Sequence, residues 1–259
     1  MTSEAITVLG LGNLGRAVAE AVAAGDLVVL VVLDHQAAQE VLRGVDVRGR
    51  TLVNVTSSTP EEAREMARWA ADNGAEYLQG AVYAVPQTIG TAESSINYSG
   101  SAAMHERWRK PLELLGKSRF LGEDAGLVAG YDVAILSAMY GLLGGFLHGA
   151  AVARAAGIRA TELMPLMWAW LTDMHPALVT FAEEIDSGDY AGGDSSLAMN
   201  QTGLGMLIRG TESQGVPFAG LDALKVLVDR QVAQGHGEES FARAVESFGV
   251  VAPQAMAGR

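Results

Sequence analysis

Ile6-Thr7-Val8-Leu9-Gly10-Leu11-Gly12-Asn13-Leu14-Gly15 is the stretch that decides the fold. Its first four residues form a short β-rich run, three glycines follow at G-x-G-x-x-G spacing, and residues 16–24 read as a helix closed by Gly25. Strand, glycine turn and helix in that order open a Rossmann-type βαβ unit. The first glycine makes the tight turn, the second lets the backbone approach a pyrophosphate, and the third allows close helix–strand packing. The N–H groups at the helix start then face the phosphates. A lone motif of this kind is a weak signal, and its place between a strand and a helix is what carries it. It speaks for the fold, not for a bound dinucleotide.

Downstream, Leu27 to Leu33 is an unbroken apolar run, the pattern of a central parallel strand covered on both faces. Residues 36–42 read as a helix and 51–55 as a strand. Thr59-Pro60-Glu61-Glu62 supplies an N-cap and a proline at N1 for a helix that carries Trp69 and stops near Gly74. Residues 76–82 and 95–99 read as further strands, joined by the loop from Ala84 to Gly90. Alternating strands and helices predict a parallel open sheet. From Ala125 to about Gly157 the chain reads as one long apolar helix, and no strand pattern returns. Helical segments fill 161–248, broken at Pro165, at Pro176, between Gly188 and Gly193, and at Gly215-Val216-Pro217. The expected class is α/β: a truncated Rossmann-like sheet over 1–123, a long interdomain helix over 124–157, and an all-helical domain over 158–259 for dimerisation and substrate. Glycines 141, 144, 145 and 149 would each cost an exposed helix roughly 1 kcal/mol relative to alanine. Close approach of another backbone would compensate, from a second subunit or from an intrachain helix crossing.

Composition closes off several functions. With 49% apolar and 19% charged residues the chain is that of a soluble globular protein. A net charge of -12 without any basic tract argues against nucleic-acid and anionic-membrane partners. There is no cysteine, which removes disulfides, thiolate catalysis and cysteine-ligated zinc. The five histidines lack ligand spacing, so no metal site is expected. No basic start with an apolar run precedes the first strand, and a cytoplasmic location is the expectation.

In a dinucleotide fold an acidic residue about 20 positions beyond the glycines holds the ribose hydroxyls. Asp34 stands near that distance, and taken alone it would point to NAD. The ordered blocks along the chain point elsewhere. Val8 to Gly15, Val53-Asn54-Val55-Thr56-Ser57-Ser58-Thr59-Pro60, Tyr77 to Ala81 running into Val85-Pro86-Gln87-Thr88-Ile89-Gly90, and Asn97 to Ser101 are followed by Tyr131 to Tyr140, Gly145 to His148 and Gly193 to Asn200. Over nearly its whole length the sequence resembles the imine reductases, relatives of the β-hydroxyacid dehydrogenases. Set against that family, Asp26 to Asp34 resembles the fourth strand, not the second. The family's second strand, with its loop for the NADPH 2′-phosphate, and its third strand have no counterpart. The shortcut is physically possible because first and fourth strands are neighbours in the 3-2-1-4-5-6 order.

The resemblance implies NADPH as cofactor, with Gly10, Leu11, Gly12, Asn13, Leu14, Leu33, Thr56 and Val85 along it. It implies Tyr140 on the long helix as proton donor or polar anchor at the substrate nitrogen. Ser137, Trp170, Met174, His175, Asp194 and Met199 would line the substrate pocket, some from the second subunit of a homodimer. A phenol with a pKa near 10 can donate at neutral pH; the plainer alternative is a core tyrosine. Asp132, two turns before Tyr140, either orients a group at the cofactor edge or is a polar residue near the domain junction. His148 reads as a core histidine more readily than a catalyst, and of Trp168 and Trp170, two apart on one helix, one is expected in the core. No lysine lies between Lys117 and Lys225, which removes the lysine-dependent β-hydroxyacid dehydrogenase chemistry. Three functions follow. One is reduction of a cyclic imine or iminium by NADPH. Another is a cofactor-independent cyclase, lyase or isomerase that reuses the pocket, and the third is a non-catalytic dimeric binding protein.

Overall fold

The computed structural model describes residues 6–9, 25–85, 87–192 and 195–249. The glycine turn with Gly10, Leu11, Gly12, Asn13 and Leu14, the helix expected over 16–24, and Asp194 lie outside the described residues. The chain divides into two compact units, 1–139 and 140–259, and the division falls inside the long helix.

The first unit is built on a six-stranded sheet. Its elements are β1 (Ile6–Leu9), β2 (Leu27–Leu30), α1 (His35–Leu42), β3 (Thr51–Asn54), α2 (Pro60–Asp72), β4 (Glu76–Tyr83), β5 (Ser95–Gly100), α3 (Ala102–Glu113) and β6 (Lys117–Gly122). Spatial order equals chain order, β1 to β6. Ile6 pairs with Leu27 and Leu9 with Leu30, so the first strand and the apolar run are direct parallel neighbours, as the shortened topology requires. Among the described residues β1 has no second neighbour, and the sheet ends there.

β2 shows why its sequence is apolar throughout. Val28 and Leu30 enter one core with Leu52, Met66 and Tyr77, whereas Leu27 and Val29 enter the other with Leu78, Tyr98 and Trp108. The strand is shorter than the run that announces it. Leu30 is its last residue because the Val32 N–H turns to the Thr56 hydroxyl, 3.1 Å away, leaving Val31 and Leu33 on the surface. The expectation of a wholly parallel sheet also fails at one place: β4 and β5 are antiparallel, Leu78 opposite Gly100 and Tyr83 opposite Ser95. Only the loop 84–94 joins them, and a parallel return needs a crossover of a dozen or more residues. Neither α3 nor β6 is announced by sequence pattern. β6 has Phe120 and Leu121 as its apolar residues and owes its form to pairing with β5.

The long helix α4 (Gly126–Ala155) starts in the first unit under firm restraint. Ser99 Oγ donates to the Ala125 carbonyl at 3.0 Å and accepts the Val128 N–H at 3.1 Å. Arg64 of α2 grips the Asp124 carboxylate through Nε at 3.0 Å and Nη2 at 2.7 Å, and Asp124 also accepts the Gly126 N–H. A Cβ at Gly126 would lie 2.7 Å from the Pro60 carbonyl oxygen, so a glycine is what lets the starts of α2 and α4 meet.

The second unit holds the remainder of α4 with α5 (Ala160–Asp173), α6 (His175–Ser187), α7 (Leu197–Ser213), α8 (Ala219–Ala233) and a 3₁₀ turn (Phe241–Ser247). Pro165 does not break its helix; it sits inside α5 and forgoes one backbone bond. Pro176 occupies the first turn of α6, where a missing N–H costs nothing. The core is small, Leu197, Leu204, Val228 and Ala244 with partly buried neighbours, and α5 and α6 bury no residue fully.

Candidate functional site

Ligands of open α/β sheets sit outside the carboxyl ends of the strands. In this chain that edge is shaped by a chain of buried polar side chains. Asn54, at the end of β3, donates to the Tyr77 hydroxyl at 3.2 Å, and that hydroxyl donates to Gln79 Oε1. Gln79 Nε2 donates to the Thr56 carbonyl at 2.9 Å, and the Thr56 N–H returns to Asn54 Oδ1 at 3.1 Å. The circuit holds the Thr56 peptide through both its polar groups. Burial pushes the Tyr77 phenol well above its ordinary value, which keeps the hydroxyl a neutral donor.

Just beyond, Thr59 caps α2 in a capping box: its N–H donates to Glu62 at 2.7 Å and its hydroxyl accepts the Glu62 N–H at 3.3 Å. Ser57 and Ser58 are therefore pinned from both sides, between a buried circuit and a helix cap. Ser57 is exposed, whereas the Ser58 hydroxyl is buried without a hydrogen-bond partner.

From the other flank of this edge come Tyr83, the last residue of β4, and Asn97 of β5. Ala81 opposes Asn97 and Tyr83 opposes Ser95, so these side chains share one face and Tyr83 reaches Asn97 along the diagonal. The Tyr83 hydroxyl is buried and makes no bond of good geometry, with Asn97 and Asp132 beside it. Asp132, on the second turn of α4, is 6% exposed. Burial raises its carboxyl above the usual carboxylate range, and the Ser57 and Tyr83 hydroxyls hold it partly back. Burial, and then the Asp132 charge, push the Tyr83 phenol up in turn. A serine hydroxyl, a phenol, an amide and a carboxyl thus converge on one spot, with the phenol still lacking a well-formed bond. Buried polar atoms left unpaired cost about 1–3 kcal/mol each, and a polar ligand would relieve that cost.

The residues singled out from sequence fall in different places. Leu33 (76% exposed) and Val85 (56% exposed) offer apolar surface at the carboxyl edge. Thr56 is buried, its hydroxyl committed to Val32. Asp34, the apparent ribose ligand, caps α1 by accepting the Ala37 N–H at 2.8 Å. Ser137 donates its hydroxyl to the Val133 carbonyl one turn back. Tyr140 projects from α4, 67% exposed. Trp170 lies on α5, Met174 at the α5–α6 junction and His175 at the first position of α6; Met199 lies in the first turn of α7. Trp168 and Trp170 are both exposed, so neither is core within this chain, against expectation. His148 is structural: it stacks on Phe218 at 4.6 Å and bonds the Val216 carbonyl at 3.1 Å. Ser58 and Asn97 stand inside blocks that carry the resemblance without being singled out for chemistry, and no sequence pattern signals Tyr83. A carboxylate inside an otherwise apolar helix is the signal for Asp132.

Two family descriptions divide the sequence. Residues 12–123 match the NAD binding domain of 6-phosphogluconate dehydrogenase, and 124–250 match the NADPH-dependent reductive aminase-like C-terminal domain. An NADPH-dependent reductive aminase of Aspergillus oryzae (strain ATCC 42149 / RIB 40) is 37% identical over 256 residues, covering 96% of this chain and 87% of the relative. A reductive aminase from Aspergillus terreus, solved with NADPH and ethyl levulinate, has a TM-score of 0.90 at 31% identity, covering 96% of this chain and 100% of that one. An imine reductase from Bacillus cereus BAG3X2 has a TM-score of 0.85 at 29% identity, covering 95% and 99%.

Proposed function

The chain belongs to the imine reductase and reductive aminase family of NADPH-dependent oxidoreductases, and on that footing we propose that it reduces the C=N bond of a cyclic imine or iminium. The observation that carries the proposal within this chain is the buried Asp132 carboxyl among Ser57, Tyr83 and Asn97 at the carboxyl edge of the sheet. NADPH, when bound, supplies the hydride. Val31, Leu33 and Val85 would give apolar surface to its nicotinamide end, and the unpartnered Ser58 hydroxyl fits a polar group there. Asp132 in its ionised form would stabilise a cationic nitrogen, a strong interaction where water is scarce. Tyr140 would donate a hydrogen bond or a proton where the substrate is a neutral imine, with Ser137, Trp170, Met174, His175, Asp194 and Met199 bounding the substrate.

The adenosine end has less to hold it. Among the described residues no strand flanks β1 on its outer side, where the ribose loop of a full dinucleotide fold is placed. That observation favours a second reading, a cyclase, lyase or isomerase that works without cofactor. NADPH titration by calorimetry separates the two. A Kd below about 100 μM together with imine-dependent NADPH oxidation supports the reductase, and no binding at millimolar NADPH refutes it. Asp132→Asn should retain NADPH binding and lose most turnover.

We further propose that a second copy of the chain covers the apolar faces of the second unit. Leu142, Leu143, Leu147, Leu166, Trp168 and Trp170 are all more than 40% exposed. Alanine Cβ atoms at 141 and 145 would meet nothing within 4 Å, so no intrachain crossing accounts for these glycines among the described residues. By length and composition α4 could also cross a membrane. Its first turns, however, bury Val128, Ala129 and Asp132, with Val128 tied to β5 through Ser99.

A further inference from the structure

The Tyr83 hydroxyl has no place in the reaction as derived above, yet it is buried without a well-formed bond. Its backbone is fixed by the β4–β5 ladder, where it opposes Ser95. Asn97 flanks it on the same face. From across the gap comes Asp132, on a helix whose start is tied to β5 by Ser99 and to α2 by the Arg64–Asp124 pair. The hydroxyl cannot move far in either direction, and neither can the carboxyl.

We propose that Tyr83 is a positioning residue whose hydroxyl, steered by Asn97, donates to the Asp132 carboxylate and sets the pH range in which that carboxylate meets a cationic substrate nitrogen. The proposal rests on the reading that Asp132 contacts the substrate. Among the described residues, two polar groups interact with Asp132: the Ser57 hydroxyl from the β3–α2 loop and the Tyr83 hydroxyl from β4. Serine does not titrate in the working range. Tyr83 stays protonated, since burial and the neighbouring charge both hold its phenol above the ordinary value. It is therefore a fixed donor, and its effect has one sign. Donation favours the ionised carboxyl and opposes the upward push of burial. Removing it leaves burial unopposed, and the carboxyl ionises at higher pH.

Tyr83→Phe is the test, read as the pH dependence of kcat/KM together with the 13C carboxyl titration of Asp132 in the free protein. The expected result is a shift of about one pH unit upward, both in the Asp132 titration and in the acid limb of the rate profile. Asn97→Ala, which removes the steering amide and keeps the phenol, should shift both in the same direction by less, and it stands in if Tyr83→Phe folds poorly. An unshifted Asp132 titration in both variants overturns the proposal. The underlying reading fails differently, by an Asp132→Asn protein that keeps full activity, whatever Tyr83 does.

Discussion

Replacing Tyr77 with phenylalanine removes one oxygen atom from the buried circuit under the site. The Tyr77 hydroxyl accepts from Asn54 Nδ2 at 3.2 Å and donates to Gln79 Oε1. Asn54 and Gln79 are each 1% exposed, so water cannot take over either bond from outside. The variant therefore leaves one donor and one acceptor unpaired in a dry place. At about 1–3 kcal/mol for each, the loss should be about 2–6 kcal/mol. The void left by one oxygen is at the lower limit of the room a water needs, so internal rescue by water is disfavoured. Urea unfolding followed by tryptophan fluorescence would measure the loss, and a melt should show the midpoint fall by roughly 4–24 °C, taking about 2–4 °C per kcal/mol. The circuit also holds the Thr56 peptide, next to Ser57 and Ser58. KM for NADPH should consequently rise more than kcat falls. A loss below about 1 kcal/mol would refute the argument, because it would mean that Asn54 and Gln79 find other partners at no cost.

Gly126→Ala should destabilise the protein by about 1–3 kcal/mol in urea titration, because the added Cβ meets the Pro60 carbonyl oxygen at 2.7 Å. Gly141→Ala, with open space around it, is the control and should not lower monomer stability. Acidification should release the Arg64–Asp124 clamp. The Arg64 guanidinium holds the Asp124 carboxyl below its ordinary value, so its contribution is fully present above the unfolded pKa of about 4 and is lost as pH falls through the folded value. Both side chains are substantially exposed, and Arg64→Leu should cost under about 1 kcal/mol at pH 7 and progressively less as pH falls below the unfolded value, by urea midpoints along an acid series. Leu147→Asp places a charge on an exposed apolar face of α4 and should convert a homodimer to monomer in sedimentation velocity. A wild-type chain that already sediments as a monomer would sink the dimer proposal.

Much of the first unit is legible in the amino-acid sequence. The capping box at Thr59 and Glu62 and the apolar run of β2 are local signals, and local signals survive in sequence because their physics acts over a few residues. The antiparallel return of β5 is hidden because alternation says which residues form strands and not in which direction they pair. β6 and α3 are hidden because neighbours supply their order: Trp108 is buried against β3, its indole donating to Thr51 at 2.9 Å across 57 residues of chain.

The candidate site divides along the same line. By itself the sequence determined the α/β class, the long apolar helix and the family, and it singled out Tyr140, all carried by residue type and spacing. Tertiary structure alone decided that Asp34 is spent on a helix cap and Thr56 on the Val32 peptide. It alone placed the Ser57 hydroxyl and the buried Tyr83 hydroxyl beside Asp132. Whether a polar side chain is free for chemistry depends on what lies across from it in space, and in this chain those neighbours come from strands and helices dozens of residues away.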